Sequence, residues 1–264
     1  MDILVTRRLT RRFGSFTAVN GIDIAVRQGE IFGLLGRNGA GKTTTMKLLT
    51  TLLPPTSGTA TIAGLDLVSQ PRHIRRIMGY VPQILSADGE LTGYDNLMVF
   101  AKLFDLPRAE RAERVETALA FMGLSEVARN PAKTYSGGMI RRLEIAQSTL
   151  HRPAILFLDE PTVGLDPLAR AAVWDYLLRL NREFGSTILL TTHYMEEADQ
   201  LCHRVALMDR GNVVAIGTPA DLKQSIHSEA TMDDVFARHA GSTPEQASSY
   251  HELSRTRETA KRLG

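Results

Sequence analysis

The sequence predicts an α/β fold in which a mostly parallel sheet is covered by helices and interrupted by an inserted α-helical subdomain. Three observations predict it. Continuous apolar runs of strand length recur in "EIFGLL", "AILFLD" and "STILLTT", the pattern of strands buried on both faces. Helix-length segments alternate with them in the second half, as in βαβ units. The stretch from Gly89 to about His151 is helical in periodicity throughout.

The strand candidates come early. "GIDIAV" alternates as a half-buried strand does, and "EIFGLL" is a buried one stopping at glycine. A glycine-rich turn and a helical pattern follow in "GRNGAGKTTTMKLLTTL". "PPTSGTATIAG" reads as turn then strand, and "MGYVPQ" as a short strand ended by proline. In the middle, Tyr94 to Leu106 and Arg108 to Met122 are helical, with Val115, Leu119 and Met122 as a core stripe and Arg111, Glu113, Arg114 and Glu116 opposite it. A third helix follows "TYSGG". Strands then return: "AILFLD", "STILLTT", "RVALMD" and "VVAIG", with helices in "DPLARAAVWDYLLRLNREFG", ending at Gly185, and "HYMEEADQLC". The expected division is a core of 1–88 and 152–220, a helical subdomain of 89–151 and a polar tail of 221–264. The tail holds a short helix, "MDDVFARHA", then a loose segment containing "GSTPEQASS".

With 264 residues, 43% hydrophobic and 23% charged, the composition is that of an ordinary soluble globular chain, able to bury a large core unaided. The single cysteine, Cys202, excludes an internal disulfide, fits a reducing setting and reads as packing rather than nucleophile. The net charge of +2 is too small to imply nucleic-acid binding. No run approaches the ~20 apolar residues of a membrane span. The N-terminal "MDILVTRRLTRRFG" lacks a signal peptide's apolar core and puts its arginines after the apolar residues, so it does not read as one. A soluble chain is expected, meeting a membrane only through a partner.

"GRNGAGKT", Gly36 to Thr43, matches G-x-x-x-x-G-K-[ST] in full, with a buried strand before it and a helix after it. The competing reading is a chance glycine turn, which that flanking context disfavours. Gly36, Asn38, Gly39, Ala40, Gly41, Lys42, Thr43 and Thr44 are the candidate nucleotide-binding residues. Successive backbone N–H groups would cradle phosphate oxygens, Lys42 would reach the β- and γ-phosphates, and the Thr43 hydroxyl would bind Mg²⁺. "AILFLDEP" ends an apolar strand in Asp159 and Glu160. Alone this is as compatible with a solvated strand end. Beside a phosphate loop it predicts Asp159 on the metal and Glu160 as general base. "TYSGGMIRR" places Ser136, Gly137 and Gly138 before a helix, which by itself is only an N-terminal cap.

Taken in order, "GRNGAGKT", "YVPQ" ending at Gln83, "YSGGM", "ILFLDEP", "GLDP" with Asp166 and "TTHYMEEAD" with His193 resemble the ABC ATPase family over about residues 1–220. The resemblance implies a P-loop NTPase (RecA-like) core with a mostly parallel sheet, an antiparallel β part and the inserted helical subdomain. It implies ATP and Mg²⁺, and catalytic roles for Glu160, His193, Gln83 and Lys42. Gln83 would join Thr43 and Asp159 at the metal, and His193 would bond the γ-phosphate and orient Glu160. Ser136, Gly137 and Gly138 would bind the γ-phosphate held by a second subunit, with Asp166 at that interface. Phe13 falls where the family stacks an aromatic on adenine, with Phe16 as competitor and packing as the alternative for either. Tyr135 and Met139 stand where many members have leucine and glutamine, and Arg37 where proline or serine is frequent. "TYSGGM" with "RRLEIA", "GYVPQ", "LTGYDNLMVFAKLFDLP" and "ATMDDVF" looks like the drug-resistance exporter branch, the daunorubicin-type pumps.

The implied function is the ATP-hydrolysing subunit of an exporter of drugs, lipids or polysaccharides. It would work as a dimer on a polytopic transmembrane permease, peripheral on the cytoplasmic face of the membrane, docking through the helical subdomain and Ile84 to Thr92. No nucleic-acid partner is expected. The motif set disfavours two other classes. A DNA or ribosome ATPase would carry a long coiled coil or two ATPase units, and the chain has neither. A P-loop kinase or GTPase would lack "SGG". Arg75 and Arg76 read as a solvated helix face and Trp174 as core. His151, His203, His227, His239 and His251 have no zinc-like spacing.

Overall fold

The computed structural model describes residues 1–239. In chain order the strands are β1 (Asp2–Phe13), β2 (Phe16–Ile22), β3 (Ala25–Arg27), β4 (Ile31–Leu35), β5 (Ser57–Ile62), β6 (Leu65–Asp66), β7 (Met78–Val81), β8 (Ile155–Asp159), β9 (Thr187–Thr192), β10 (Arg204–Asp209) and β11 (Asn212–Gly217). The helices are α1 (Lys42–Leu49), α2 (Pro71–Ile77), α3 (Gly93–Leu103), α4 (Arg111–Phe121), α5 (Gly137–Thr149), α6 (Pro167–Phe184), α7 (Met195–Leu201), α8 (Pro219–Gln224) and α9 (Met232–His239).

The larger sheet has the order β11-β10-β4-β9-β8-β7, parallel throughout except for β10 with β11. Every residue of β4, β8 and β9 is buried, because neighbours in these strands point to opposite faces and both faces are covered. Phe32, Leu34, Phe157 and Leu189 pack toward β1, β2, β5, α1 and α2. Ile31, Leu35, Leu156, Leu158, Ile188 and Leu190 pack toward α3 to α7. Each fully buried side chain of this size stabilises by about 1.5–3 kcal/mol. The smaller sheet is antiparallel, built from β1, β2, β3, β5 and β6, the antiparallel part implied by the resemblance.

Helices start where the sequence supplies a cap. Thr92, Ser136, Asp166 and Thr218 each accept a hydrogen bond from the backbone N–H three residues on. Gly185, with φ 61, ends α6. Helices α3, α4 and α5 lie between β7 and β8 in the chain, with Val115, Leu119 and Met122 in the core.

The structure corrects two readings and adds one strand. "GIDIAV" is not one strand: β2 ends at Ile22 and β3 begins at Ala25. Asp23 sits in the break, where its carboxylate accepts the Arg8 N–H at 2.7 Å. The N-terminal segment, to which the sequence pattern assigns no strand, is β1, the longest strand described. Trp174 is only half-buried, held at its edge by a bond from Nε1 to Glu197 Oε1 at 2.9 Å. Arg75 and Arg76 are exposed and Cys202 is buried, as read. Helix α9 packs Met232, Val235 and Phe236 inward. The "GSTPEQASS" segment lies outside the described residues.

Candidate functional site

Four neighbouring parallel strands end at one edge of the large sheet, and each leads into a segment singled out from the sequence. Strand β4 leads into Gly36–Gly41, β9 into His193, β8 into Glu160 and β7 into Gln83. Ligand sites at such carboxyl edges follow from the fold, because the connecting loops there surround a common crevice.

The loop after β4 runs straight into α1. Arg37, Asn38 and Gly39 are exposed and Ala40 is buried. Gly41 has φ 104 and its Cα faces the Ala18 carbonyl, so a side chain there would be strained and would clash. This close approach sets the β1–β2 hairpin against the loop. Phe13 and Phe16 pair across that hairpin and both are exposed, so neither is a core residue. The Arg11 guanidinium sits 4.6 Å from the Phe13 ring centre. Lys42 Nζ donates to the Gly36 carbonyl at 2.8 Å and the Arg37 carbonyl at 3.3 Å.

Glu160 is the meeting point of the site. Its Oε1 lies 3.2 Å from Lys42 Nζ, its Oε2 accepts Gln83 Nε2–H at 3.2 Å, and His193 Nδ1 lies 3.3 Å from Oε2. His193 Nδ1 makes no hydrogen bond, so at this distance it lies beside the carboxylate without bonding it. Glu160 has φ 49, a left-handed conformation for a residue with a side chain. Two bonds from its N–H hold it there, to the Thr191 carbonyl at 3.2 Å and Thr191 Oγ1 at 2.9 Å.

Asp159 points at α1. Its Oδ1 accepts Thr191 Oγ1–H at 2.6 Å and Thr43 Oγ1–H at 3.3 Å. Burial pushes the Asp159 carboxyl up, partly offset by those two hydroxyls. Thr191 thus fixes both acids, and sequence reasoning missed it. The signal was its place two residues before His193 on an all-buried strand. The Thr43–Asp159 pair offers only oxygen donors, which suits a hard cation such as Mg²⁺. Among the described residues no group of three or more His, Cys, Asp or Glu could hold a metal by itself. A cation held by one hydroxyl, one carboxylate and phosphate oxygens needs no such group, so the residues fit.

Ser136, Gly137 and Gly138 open α5 away from this cluster, with Ser136 and Gly137 exposed. Ser136 Oγ accepts the Met139 N–H at 3.3 Å. Gly138 has a packing reason of its own: a Cβ there would come within 2.7 Å of Ala169 Cβ on α6. Tyr135, one of the departures from the common pattern, is buried and donates to the Val127 carbonyl at 2.7 Å. Asp166 caps α6 through the Ala169 N–H at 2.9 Å. Thr44 is half-buried in the first turn of α1.

A family model described as ABC transporter matches residues 19–163, which include the loop at Gly36, Gln83, the Ser-Gly-Gly turn and the acidic strand end. The chain belongs to the ABC transporter family. It is an ATP-binding, ATP-hydrolysing subunit of that family, and its hydrolysis is coupled to transport. This ABC ATPase is 45% identical over 223 residues to the daunorubicin/doxorubicin resistance ATP-binding protein of Streptomyces peucetius, covering 84% of this chain and 67% of that one. It is 39% identical to the linearmycin resistance ATP-binding protein of Bacillus subtilis (strain 168), covering 83% and 70%. It is 42% identical to the Nod factor export ATP-binding protein I of Ralstonia nicotianae, covering 83% and 68%. A solved ATP-binding subunit of an ABC transporter superposes with a TM-score of 0.79 at 29% identity, covering 89% of this chain and 98% of that one. The drug-resistance branch expected from the signature and "RRLEIA" is therefore the branch of its relatives, and a nucleic-acid ATPase is not favoured. No helix among the described residues is long and apolar enough to cross a membrane. Membership of the family implies a membrane permease as partner.

Proposed function

We propose that this chain is the ATP-driven motor of an exporter of drugs, lipids or polysaccharides. Two copies would close face to face on two ATP molecules and reopen on hydrolysis. The observation that carries the proposal is the convergence of Lys42, Gln83 and His193 on the Glu160 carboxylate. In this reading Gly36, Asn38, Gly39, Ala40, Gly41, Lys42, Thr43 and Thr44 wrap the triphosphate, and Phe13 stacks on adenine from the adjacent hairpin. Thr43 and Asp159, joined by Gln83, would hold Mg²⁺, which would neutralise charge on the phosphates. Glu160 takes a proton from water as its oxygen attacks the γ-phosphorus and the bond to ADP breaks. His193 and Lys42 stabilise the negative charge on the γ-phosphoryl oxygens.

The second ATP contact comes from the other copy. Ser136 and Gly137 are exposed at the start of a thirteen-residue helix. A helix N-terminus with free N–H groups suits a phosphate. Asp166 would shape the same interface. The permease would sit on the exposed Ile84, Leu85, Val99 and Leu103, which lie on the segment after Gln83 and on α3. That docking holds the chain at the cytoplasmic face of the membrane. Division into a core of 1–88 and 152–220 and a helical part of 89–151 fits such closure, because the helical part can swing as a unit.

The test is purification of tagged Glu160→Gln protein from its native membranes with ATP and Mg²⁺. Co-purification of a polytopic membrane protein, with a dimer by light scattering, is the expected result. A chain that stays monomeric with ATP, or that returns only soluble or ribosomal partners, overturns the proposal.

A further inference from the structure

A buried ion pair inside the helix that begins at the Ser-Gly-Gly turn grips the segment carrying Gln83. Arg141 and Glu144 lie on the first two turns of α5 with side chains only 2% exposed each, 3.0 Å apart. Arg141 does not stop at its partner. Its Nη1 donates to the Pro82 carbonyl at 2.7 Å and its Nη2 to the Gln83 carbonyl at 2.8 Å. Glu144 Oε1 accepts the Ser86 N–H, and Ser86 Oγ–H at 3.1 Å. Four hydrogen bonds thus fasten residues 82–86 to α5. The Gln83 side chain is otherwise exposed and reaches Glu160 Oε2 at 3.2 Å.

We infer that Arg141 and Glu144 are positioning residues that fix the backbone of Gln83 to the signature helix, and so set where its amide meets Glu160. This rests on the catalytic role proposed for Gln83. A purely stabilising role explains the pair poorly. Helix α5 is already anchored by the fully buried Leu143, Ile145 and Ala146, and buried ion pairs contribute little net stability compared with apolar residues of similar size. The guanidinium fork is well suited to hold two adjacent carbonyls in fixed directions. Arg141 follows Ser136 by five residues, about 7.5 Å along a helix, so a displacement of the helix start is passed directly to Gln83. Phosphate binding at Ser136 and catalysis at Glu160 of the same chain would then be mechanically linked.

The experiment measures ATPase kcat and KM of the full chain carrying Arg141→Lys or Glu144→Gln, each alone and combined with Gln83→Ala. Arg141→Lys keeps a charge beside Glu144, so no buried carboxylate is abandoned. Ser86→Pro, on the exposed loop, removes both Ser86 donors and serves if the core variants fail to fold. Expected are a kcat about tenfold lower, a KM for ATP changed less than about twofold, and no further loss in the Gln83→Ala background, the non-additivity of residues acting through one another. Equal losses on both backgrounds, or an unchanged kcat, overturn the inference. If Gln83→Ala alone leaves kcat at the wild-type value, the role of Gln83 falls and this inference with it. Additive losses with a damaging Gln83→Ala sink the inference alone.

Discussion

Lys42 Nζ and Glu160 Oε1 lie 3.2 Å apart with side chains 4% and 7% exposed. The ammonium is shared with the carbonyls of Gly36 and Arg37. A triphosphate would compete with Glu160 for that same ammonium, since both are anions in a low-dielectric site. Glu160→Gln should therefore bind ATP at least as tightly as the wild type, while turnover falls by about 10²–10⁴, the span of a general-base contribution. Nucleotide titration followed by single-turnover hydrolysis separates the two effects. A variant that loses ATP binding would show that Glu160 supports the loop rather than the chemistry.

Asp159 and Thr43 are expected to act on the cation and not on the nucleotide itself. Asp159→Asn and Thr43→Val should abolish most of the tightening of ATP binding that Mg²⁺ produces, leaving binding in a chelator unchanged. Thr191→Val should do the same more weakly, by about tenfold, as loss of a partner that orients a metal ligand does. Calorimetric titrations with and without Mg²⁺ measure each variant directly.

The two glycines of the signature should respond differently to alanine. At Gly138 the new methyl meets Ala169 Cβ at 2.7 Å, and the cost of forcing α5 and α6 apart is about 1–3 kcal/mol. At Gly137 the nearest atom is Leu165 Cδ2 at 3.4 Å, and alanine is a better helix former by about 1 kcal/mol. Urea unfolding should therefore show Gly138→Ala destabilised and Gly137→Ala not. Any loss of ATPase in Gly137→Ala then reports on phosphate contact.

His151 predicts an acid sensitivity. Its ring stacks on Phe104 with centres 3.7 Å apart, and Nε2–H donates to the Met78 carbonyl at 3.0 Å. Burial holds its pKa below the ordinary histidine value. The folded state therefore prefers the neutral ring. Its contribution is complete above the unfolded pKa of about 6.5 and is lost as pH falls toward the lower folded value. Thermal midpoints of the wild type should drop between about pH 7 and 5 more steeply than those of His151→Phe, which has no proton to gain. Parallel slopes for the two proteins would place the acid sensitivity elsewhere.

The strands that line the site were legible because burial on both faces leaves no room for polar residues, as in β4 and β8. Phosphate loop, acidic pair and helix caps were legible because their chemistry depends on residue type at fixed spacing. Strand β1 was not, since Arg7, Arg8 and Arg12 are exposed on a strand whose pairing is interrupted by register shifts. The break at Asp23 was hidden because alternation continues across it. Arg141 and Glu144 were hidden for a different reason. A charge on a helix normally marks its wet face, and only their spacing of three, in phase with the buried Gly138 and Ile145, could have signalled that these two face inward.

The carboxyl edge described above has an engineering consequence. Gln83, Glu160 and His193 each begin within two residues of a strand end, so chain length there is under tight geometric control. An insertion of a single residue would rotate a side chain away from its neighbours. The opposite edge carries no such burden. At Gly185, exposed between α6 and β9, a reporter peptide or fused domain could be grafted while the chemistry continued undisturbed at the far side of the sheet.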